Sequence, residues 1–274
     1  MGAPPDDPRD PPPSVSLDEL LAAIFAVARG EHGPRILELT GPGLPEPQRA
    51  IAEAMAMMMV KVEAREFQLS QLVEQLQEAN QRLRQAALDT VGAMAAALEA
   101  RDRYTEGHAR RVGDYARALA ERLNLAAEEV EWVRLGGLLH DIGKIGFSDL
   151  VFTGEDLSFN QDLWEEIKQH PARGVGILKE LEFLAPALDC VLFHHERLDG
   201  KGYPQGLKGD QIPLGARIVA VADVFDAITT DRPYKKGRSQ DQALAILRDL
   251  AGKALCPQCV EAFAAWLEEG AGPA

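Results

Sequence analysis

Leu138-Leu139-His140-Asp141-Ile142-Gly143-Lys144 puts a histidine, a carboxylate and a lysine at the end of an apolar run. Polar groups in such a place are costly to bury unless a partner or a metal satisfies them. His108 precedes the stretch, and His170, His194, His195 and the later carboxylate Asp223 follow it; of the chain's histidines only His32 lies far from this group. One buried histidine is usually a satisfied core residue. Five of them, with an adjacent carboxylate, a later aspartate and a lysine, make the mixture of neutral imidazoles and carboxylates that a pair of divalent metals requires.

Outward from this stretch the apolar pattern is helical almost throughout, from Asp89 onward. Val112, Tyr115, Ala116, Leu119, Leu123 and Leu125 form one apolar face, and Val130, Val133, Leu135, Leu138 and Leu139 another. Ile218-Val219-Ala220-Val221-Ala222 is short and apolar enough for a buried strand. Its alanines, and its continuation into Asp223-Val224-Phe225-Asp226 without a turn signal, predict a helix instead. The expected fold class is all-α.

The N-terminal part reads differently. Met1 to Pro13 is rich in Pro and Asp and is expected to be disordered. Ser16-Leu17-Asp18-Glu19 reads as a capping box before the apolar positions Leu20, Leu21, Ile24 and Val27 of a first helix, which should stop at Arg29-Gly30. A connector follows, with apolar anchors Ile36, Leu37 and Leu39 and the breaker run Gly41-Pro42-Gly43-Leu44-Pro45. A much longer helix starts at Pro47. Leu69, Leu72, Leu76, Ala79, Leu83 and Ala86 recur along it at spacings of three and four, a narrow seam with polar flanks that favours a coiled-coil partner over a lone amphipathic helix.

Several separate motifs carry a family resemblance. His140-Asp141 with Gly143-Lys144, His194-His195-Glu196, Asp199-Gly200, Gly202-Tyr203-Pro204, Gly206-Leu207, Ile212-Pro213, and Asp223-Val224-Phe225-Asp226-Ala227 through Arg232-Pro233-Tyr234 occur in that order and resemble the HD-GYP domain. This branch of the HD metallophosphohydrolases cleaves cyclic di-GMP, and the likeness runs from about Ala97 to Leu267. It implies a bacterial second-messenger phosphodiesterase that yields pGpG and/or GMP and holds two divalent metal ions, Fe or Mn. By the same resemblance Asp141 bridges the metals, His108, His140 and Asp223 complete one ligand set, and His170, His194 and His195 complete the other. It further assigns guanine and phosphate contacts to Arg232 and Lys235.

The residues themselves add detail. Adjacent His194 and His195 reach one ion only if the backbone bends there, and the glycines of the loop from Asp199 to Gly206 allow such a bend. Lys144, four residues after His140, should lie one turn along the same helix face and touch the scissile phosphate, where charge grows in the transition state. Asp226, one turn after Asp223, reads as a carboxylate that either supports a ligand or contacts a base. Tyr203, next to Gly202, offers a ring and a hydroxyl to a ligand, or packs the loop.

Two positions depart from the family pattern. Some members hold a third metal with a glutamate four residues before the first histidine. Here that residue is Tyr104, whose neutral phenol is a poor ligand, and Glu106 points to another side of the helix, so two metals are expected. Cys256-Pro257 stands where an aspartate-proline is usual. Two alternatives remain. One is a catalytically weak domain that binds cyclic di-GMP or another protein; the other is a phosphohydrolase of another cyclic nucleotide. The complete ligand set and the Gly202-Tyr203-Pro204 and Arg232-Pro233-Tyr234-Lys235 motifs favour the diesterase.

Ser16 to Glu66 loosely resembles a HAMP signalling module. The expected organisation is a disordered tail over 1–15, a HAMP-like module over 16–66, a coiled-coil signalling helix over 67–96 and the phosphodiesterase domain over 97–270. A homodimer through the coiled coil, and an upstream sensor or signalling partner, follow from it. No stretch reaches the 18 or so apolar residues of a membrane span, and Met1 to Pro13 lacks the pattern of a signal peptide, so a cytoplasmic protein is expected. Three cysteines are consistent with a reducing compartment. Cys256-Pro257-Gln258-Cys259 lacks the second pair of a zinc site and reads as a helix start. A net charge of −14 argues against nucleic acid and anionic membranes as partners. A small phosphodiester can still bind where metals and a few local cations outweigh the global field.

Overall fold

In the computed structural model, residues 16–28, 45–101, 107–147, 161–231 and 236–270 are described. The expected N-terminal tail, the connector with Ile36 and the breaker run, Tyr104 and Glu106, and Arg232 to Lys235 lie outside them. Every regular element among the described residues is a helix, accompanied by two isolated β-bridges. The chain divides into two units, Met1–Arg82 and Leu83–Ala274.

In the first unit, α1 (Leu17–Ala28) opens with the expected capping box. Ser16 Oγ accepts the Glu19 N–H at 3.2 Å, and Glu19 Oε2 accepts the Ser16 N–H at 3.0 Å. This exchange satisfies donors that a helix start leaves unpaired. α2 (Glu46–Arg101) begins in this unit and ends in the second. Its seam leucines stand in the open: Leu69, Leu72 and Leu76 are 62%, 61% and 67% exposed. None of the described helices is long and apolar enough to cross a membrane.

The second unit is built around α8 (Leu214–Thr229), counted after α3 (His108–Arg122), α4 (Ala127–Leu139), α5 (Gln161–Lys168), α6 (His170–Leu178) and α7 (Leu188–Phe193). Ile218, Val219, Ala220, Val221, Ala222 and Phe225 of α8 are all buried. A helix apolar on every side belongs in the interior, which explains why this stretch shows no clear period in sequence. α9 (Gln240–Leu250) and α10 (Pro257–Glu268) close the unit. Phe263 of α10 is fully buried, edge-to-face with Phe225 and Tyr115 at 5.0 and 5.8 Å, and stacked on Trp266 at 5.5 Å.

A second apolar cluster joins Val91 and Ala95 of α2 to Leu135 and Leu139 of α4, Ile142, Leu178 and Val191. Small residues let these helices approach closely. A Cβ on Gly137 would lie 3.0 Å from Gly113 Cα of α3, and one on Gly136 would lie 2.3 Å from Cys190 Cβ of α7. Cys256 is the N-cap of α10, with Pro257 following, and its side chain makes no capping hydrogen bond. All three cysteines are buried and free. Burial pushes the Cys190 thiol up to about 12 and the Cys259 thiol higher still.

Candidate metal centre

The buried histidines stand at helix ends. His140 follows the last residue of α4, His170 follows α5 and opens α6, and His194 follows α7. The last carbonyls of a helix have no intrahelical donor. Each of these histidines supplies one: Nδ1 of His140 donates to Gly137 O at 2.7 Å, His170 to Ile167 O at 2.7 Å, and His194 to Val191 O at 2.8 Å. A carbonyl only accepts, so the proton of each neutral ring sits on Nδ1 and the Nε2 lone pair points into the space between the helices.

There the donors converge on Asp141. Its Oδ1 lies 3.2 Å from His170 Nε2, and its Oδ2 lies 3.4 Å from His140 Nε2 and 4.0 Å from His108 Nε2. Asp223, from the middle of α8, reaches His108 Nε2 at 3.3 Å and His140 Nε2 at 3.8 Å. Asp141, His170, His194 and His195 form one group whose ligand atoms all lie within 4.8 Å of one another, and His108, His140 and Asp223 form another. The chain turns sharply after α7, so the adjacent His194 and His195 face the same group with rings 4.0 Å apart.

The polar accounting of this cluster does not close on protein atoms. His140 Nε2 and Asp141 Oδ1 are buried without a hydrogen-bond partner, and His170 Nε2 faces His194 Nε2 at 3.2 Å, lone pair against lone pair. A cation resolves both defects, so the donor set fits a metal centre. Burial, reinforced by His195, His140 and His170, holds His194 well below its ordinary pKa, and burial lowers His195 to about 4; both are neutral ligands near pH 7. Burial also opposes charge on His108, yet Asp223 and Asp226 outweigh it and raise that ring to about 10. Burial works against the charge of Asp141 too, but Lys144 and His140 hold its carboxyl well below the usual carboxylate range.

Two sequence expectations change. α4 ends at Leu139, and Lys144 belongs to the 3-10 turn Ile142–Gly146, not to a continuing α-helix. Positions three apart eclipse in that tighter helix, so Lys144 Nζ pairs with Asp141 instead of standing one α-turn beyond His140. Asp226 is only 1% exposed and has no face for a base. Its Oδ2 accepts from His108 Nδ1 at 2.7 Å, while Arg111 Nε donates to Oδ1 at 2.6 Å. His108 and Arg111 on α3 thus meet Asp223 and Asp226 on α8, a matched pair of three-residue spacings.

The loop after His195 and the start of α3 have supports of their own, of which only the roles of Glu196 and Glu99 escaped the sequence reading. Glu196, 4% exposed, accepts the N–H groups of Gln205, Gly206 and Leu207 at 2.6, 3.0 and 3.0 Å and so fixes the loop after His195. Gly202 lets that loop fold back: a Cβ there would lie 2.5 Å from Glu196 Cα and His195 O. Tyr203 lies against His195, ring centroids 4.7 Å apart. Glu99 of α2 accepts the N–H groups of Gly107, at 3.0 Å, and Ala109, capping the helix that His108 begins. A cleft of about 1060 Å³ opens beside the histidines, lined among others by Lys144, Trp164, Lys168, Arg197, Lys201 and Tyr203.

The HD domain profile matches residues 92–257, which contain all of these histidines and aspartates. The chain belongs to the HD domain family. The cyclic di-GMP phosphodiesterase response regulator RpfG of Xanthomonas campestris pv. campestris is 36% identical over 227 residues, 82% of this chain and 60% of that protein. A cyclic di-GMP phosphodiesterase of Thermotoga maritima is 39% identical over 167 residues, 60% of this chain and 45% of that protein. The 3'3'-cGAMP-specific phosphodiesterase 3 of Vibrio cholerae is 36% identical over 166 residues, 61% of this chain and 36% of its own length. This chain therefore spans between about a third and three fifths of the length of each of these relatives. A crystal structure of a cyclic GMP-AMP specific phosphodiesterase from V. cholerae has the same fold over 66% of this chain and 48% of that one, with a TM-score of 0.55 and 23% identity.

The approach of the HD turn to α6 has a measurable consequence. A Cβ on Gly143 would lie 1.9 Å from His170 O and 2.6 Å from Gly174 N, whereas one on Gly176, further along α6, meets nothing within 4 Å. Gly143→Ala should force the two segments apart and lower bound metal per chain at least tenfold. Gly176→Ala should keep full metal content and gain up to about 1 kcal/mol of stability in denaturant titration, as alanine does in a helix interior. Equal metal content in the two variants would contradict the packing described.

Proposed function

We propose that this HD domain is a metal-dependent phosphodiesterase of the HD-GYP branch that hydrolyses cyclic di-GMP to pGpG and/or GMP. The observation that carries the reading is the convergence of His170, His140 and His108 on Asp141 beside an open cleft that His170, His194, His195 and Asp223 line. Two divalent ions, Fe or Mn, suit the two ligand groups, with Asp141 shared, and Tyr104 offers no carboxylate for a third. When bound, such ions polarise a phosphodiester and acidify a water enough for attack.

The chain's own residues do the remainder. Asp226 and Arg111 orient His108, and backbone carbonyls orient the rings of His140, His170 and His194, so little rearrangement accompanies binding. Lys144, at the edge of the cleft beside Asp141, stabilises charge that develops on the phosphoryl oxygens. Arg232 and Lys235 hold guanine and phosphate, a task for which the planar guanidinium fork of arginine is suited. Tyr203 gives the ligand an aromatic wall above His195, and Gly202 gives the loop room to carry it. Hydrolysis of 3'3'-cGAMP is a second reading, favoured by the cGAMP-specific names of some relatives.

We further assign the N-terminal part to signalling: a HAMP-like module over 16–66 and a parallel coiled coil over 67–96 that makes a homodimer and receives an upstream input. The support is the row of exposed leucines along α2.

Metal analysis of protein purified without chelators should find two ions per chain. Asp141→Ala should lose both ions and cyclic di-GMP hydrolysis while keeping its helical circular dichroism; a metal-free variant with wild-type rates would refute the mechanism. Lys144→Ala should lower kcat by roughly 10² to 10³ with little change in KM, as for loss of one donor to transition-state charge. Arg232→Ala and Lys235→Ala should instead raise KM more than they lower kcat, and one shared kinetic pattern would erase that division of roles. Replacing Leu69, Leu72 and Leu76 together by lysine should turn a dimer into a monomer by light scattering. A dimer that persists would place the interface elsewhere.

A further inference from the structure

The cleft has an aromatic wall that nothing above uses. Trp164 of α5 is 46% exposed, while its neighbour Leu163 is buried. An indole exposed inside a cleft beside cations is a surface on which a flat aromatic group can stack. Lys168, one turn on, sets its ammonium 5.7 Å from the Trp164 ring centroid and 2.8 Å from Glu165 Oε1. The lysine braces one side of the indole while the rest of the ring lines the cleft together with Arg197, Lys201 and Tyr203.

The position of Trp164 is tied to the metal centre. Ile167, three residues later on the same short helix, supplies the carbonyl that fixes the His170 ring at 2.7 Å. A group stacked on Trp164 is therefore held in a set relation to a phosphate above the histidines. The cleft of about 1060 Å³ extends from His170, His194 and His195 to Trp164, Lys168, Arg197 and Lys201. Its remaining space carries a platform and cations, the combination with which proteins hold nucleobases and their phosphates without reading a sequence.

We propose that Trp164, braced by Lys168, is the stacking platform for one purine base of the cyclic dinucleotide, and so sets the preference of this cleft for dinucleotides over smaller phosphodiesters. The assignment rests on the diesterase reading above. Base stacking on an aromatic side chain contributes about 1–3 kcal/mol, so Trp164→Ala should raise KM for cyclic di-GMP by roughly 5- to 100-fold. Its kcat should stay within about twofold, since the platform touches neither metal nor scissile bond. Trp164→Phe, which keeps a ring, should recover most of the affinity.

A second readout does not depend on turnover. Binding of a non-hydrolysable phosphorothioate analogue of cyclic di-GMP to the metal-loaded full chain should quench tryptophan fluorescence. Trp164→Phe should still bind the analogue by calorimetry but lose that quench, leaving the signals of Trp132 and Trp266. An unchanged KM in Trp164→Ala, or a quench that survives in Trp164→Phe, overturns the platform and leaves the diesterase intact. Should Trp164→Ala lose metal through the His170 anchor, the Trp164→Phe quench decides alone. A metal-loaded wild type that neither binds nor cleaves cyclic di-GMP overturns the diesterase reading, and the platform falls with it.

Discussion

The Nε2 atoms of His170 and His194 face each other at 3.2 Å, while the Nδ1 of each ring bonds a carbonyl of its own helix end. The surrounding architecture keeps that unfavourable meeting in place. Three helices stop where they do because a histidine caps their last turn, and the caps aim three lone pairs into one buried space. Asp141 and Asp223 bring negative charge to the same space, and Lys144, Arg111 and the His108 ring bring the charges and hydrogen bonds that make burial tolerable. Helix termination, tautomer choice and ligand direction are thus one event repeated at three places.

Much of this was legible in the sequence because it rests on residue type and short spacing. The helical nature of the Ile218–Ala222 run and the capping box at Ser16 depend on neighbours within a turn or two, and the histidines and aspartates that converge were visible as residue types. The features that were not legible depend on exact backbone geometry or on long separations. The change from α-helix to a 3-10 turn after His140 moves Lys144 onto Asp141, and a four-residue spacing alone gives no sign of that change. Asp226 reads equally as a ligand support or a base contact until Arg111 and His108 are seen to occupy it. Glu196 reaches across nine residues to Gln205 N–H, and Glu99 reaches past the end of its own helix, so neither leaves a periodic trace.

Charge works at two scales. The chain as a whole is strongly acidic, which repels long polyanions, yet the cleft beside the histidines gathers Lys144, Lys168, Arg197 and Lys201. Asp141, Glu165 and Asp199 pair with the first three of these cations. Net charge alone gives no sign of this local gathering of cations.

The glycines at the helix contacts carry a different implication. At Gly136, Gly137, Gly143 and Gly202 the limiting contacts are with main chain or with a Cβ, so the spacing of the metal ligands is set by atoms that nearly every residue type possesses. Elsewhere in the core the side chains fill space that the backbone has already enclosed. A fold organised in this way can drift far in sequence, trading leucine for methionine or valine for isoleucine, while its chemistry stays in register. Volume-conserving changes in the packing should be tolerated far better than a Cβ at this handful of positions that have no side chain at all.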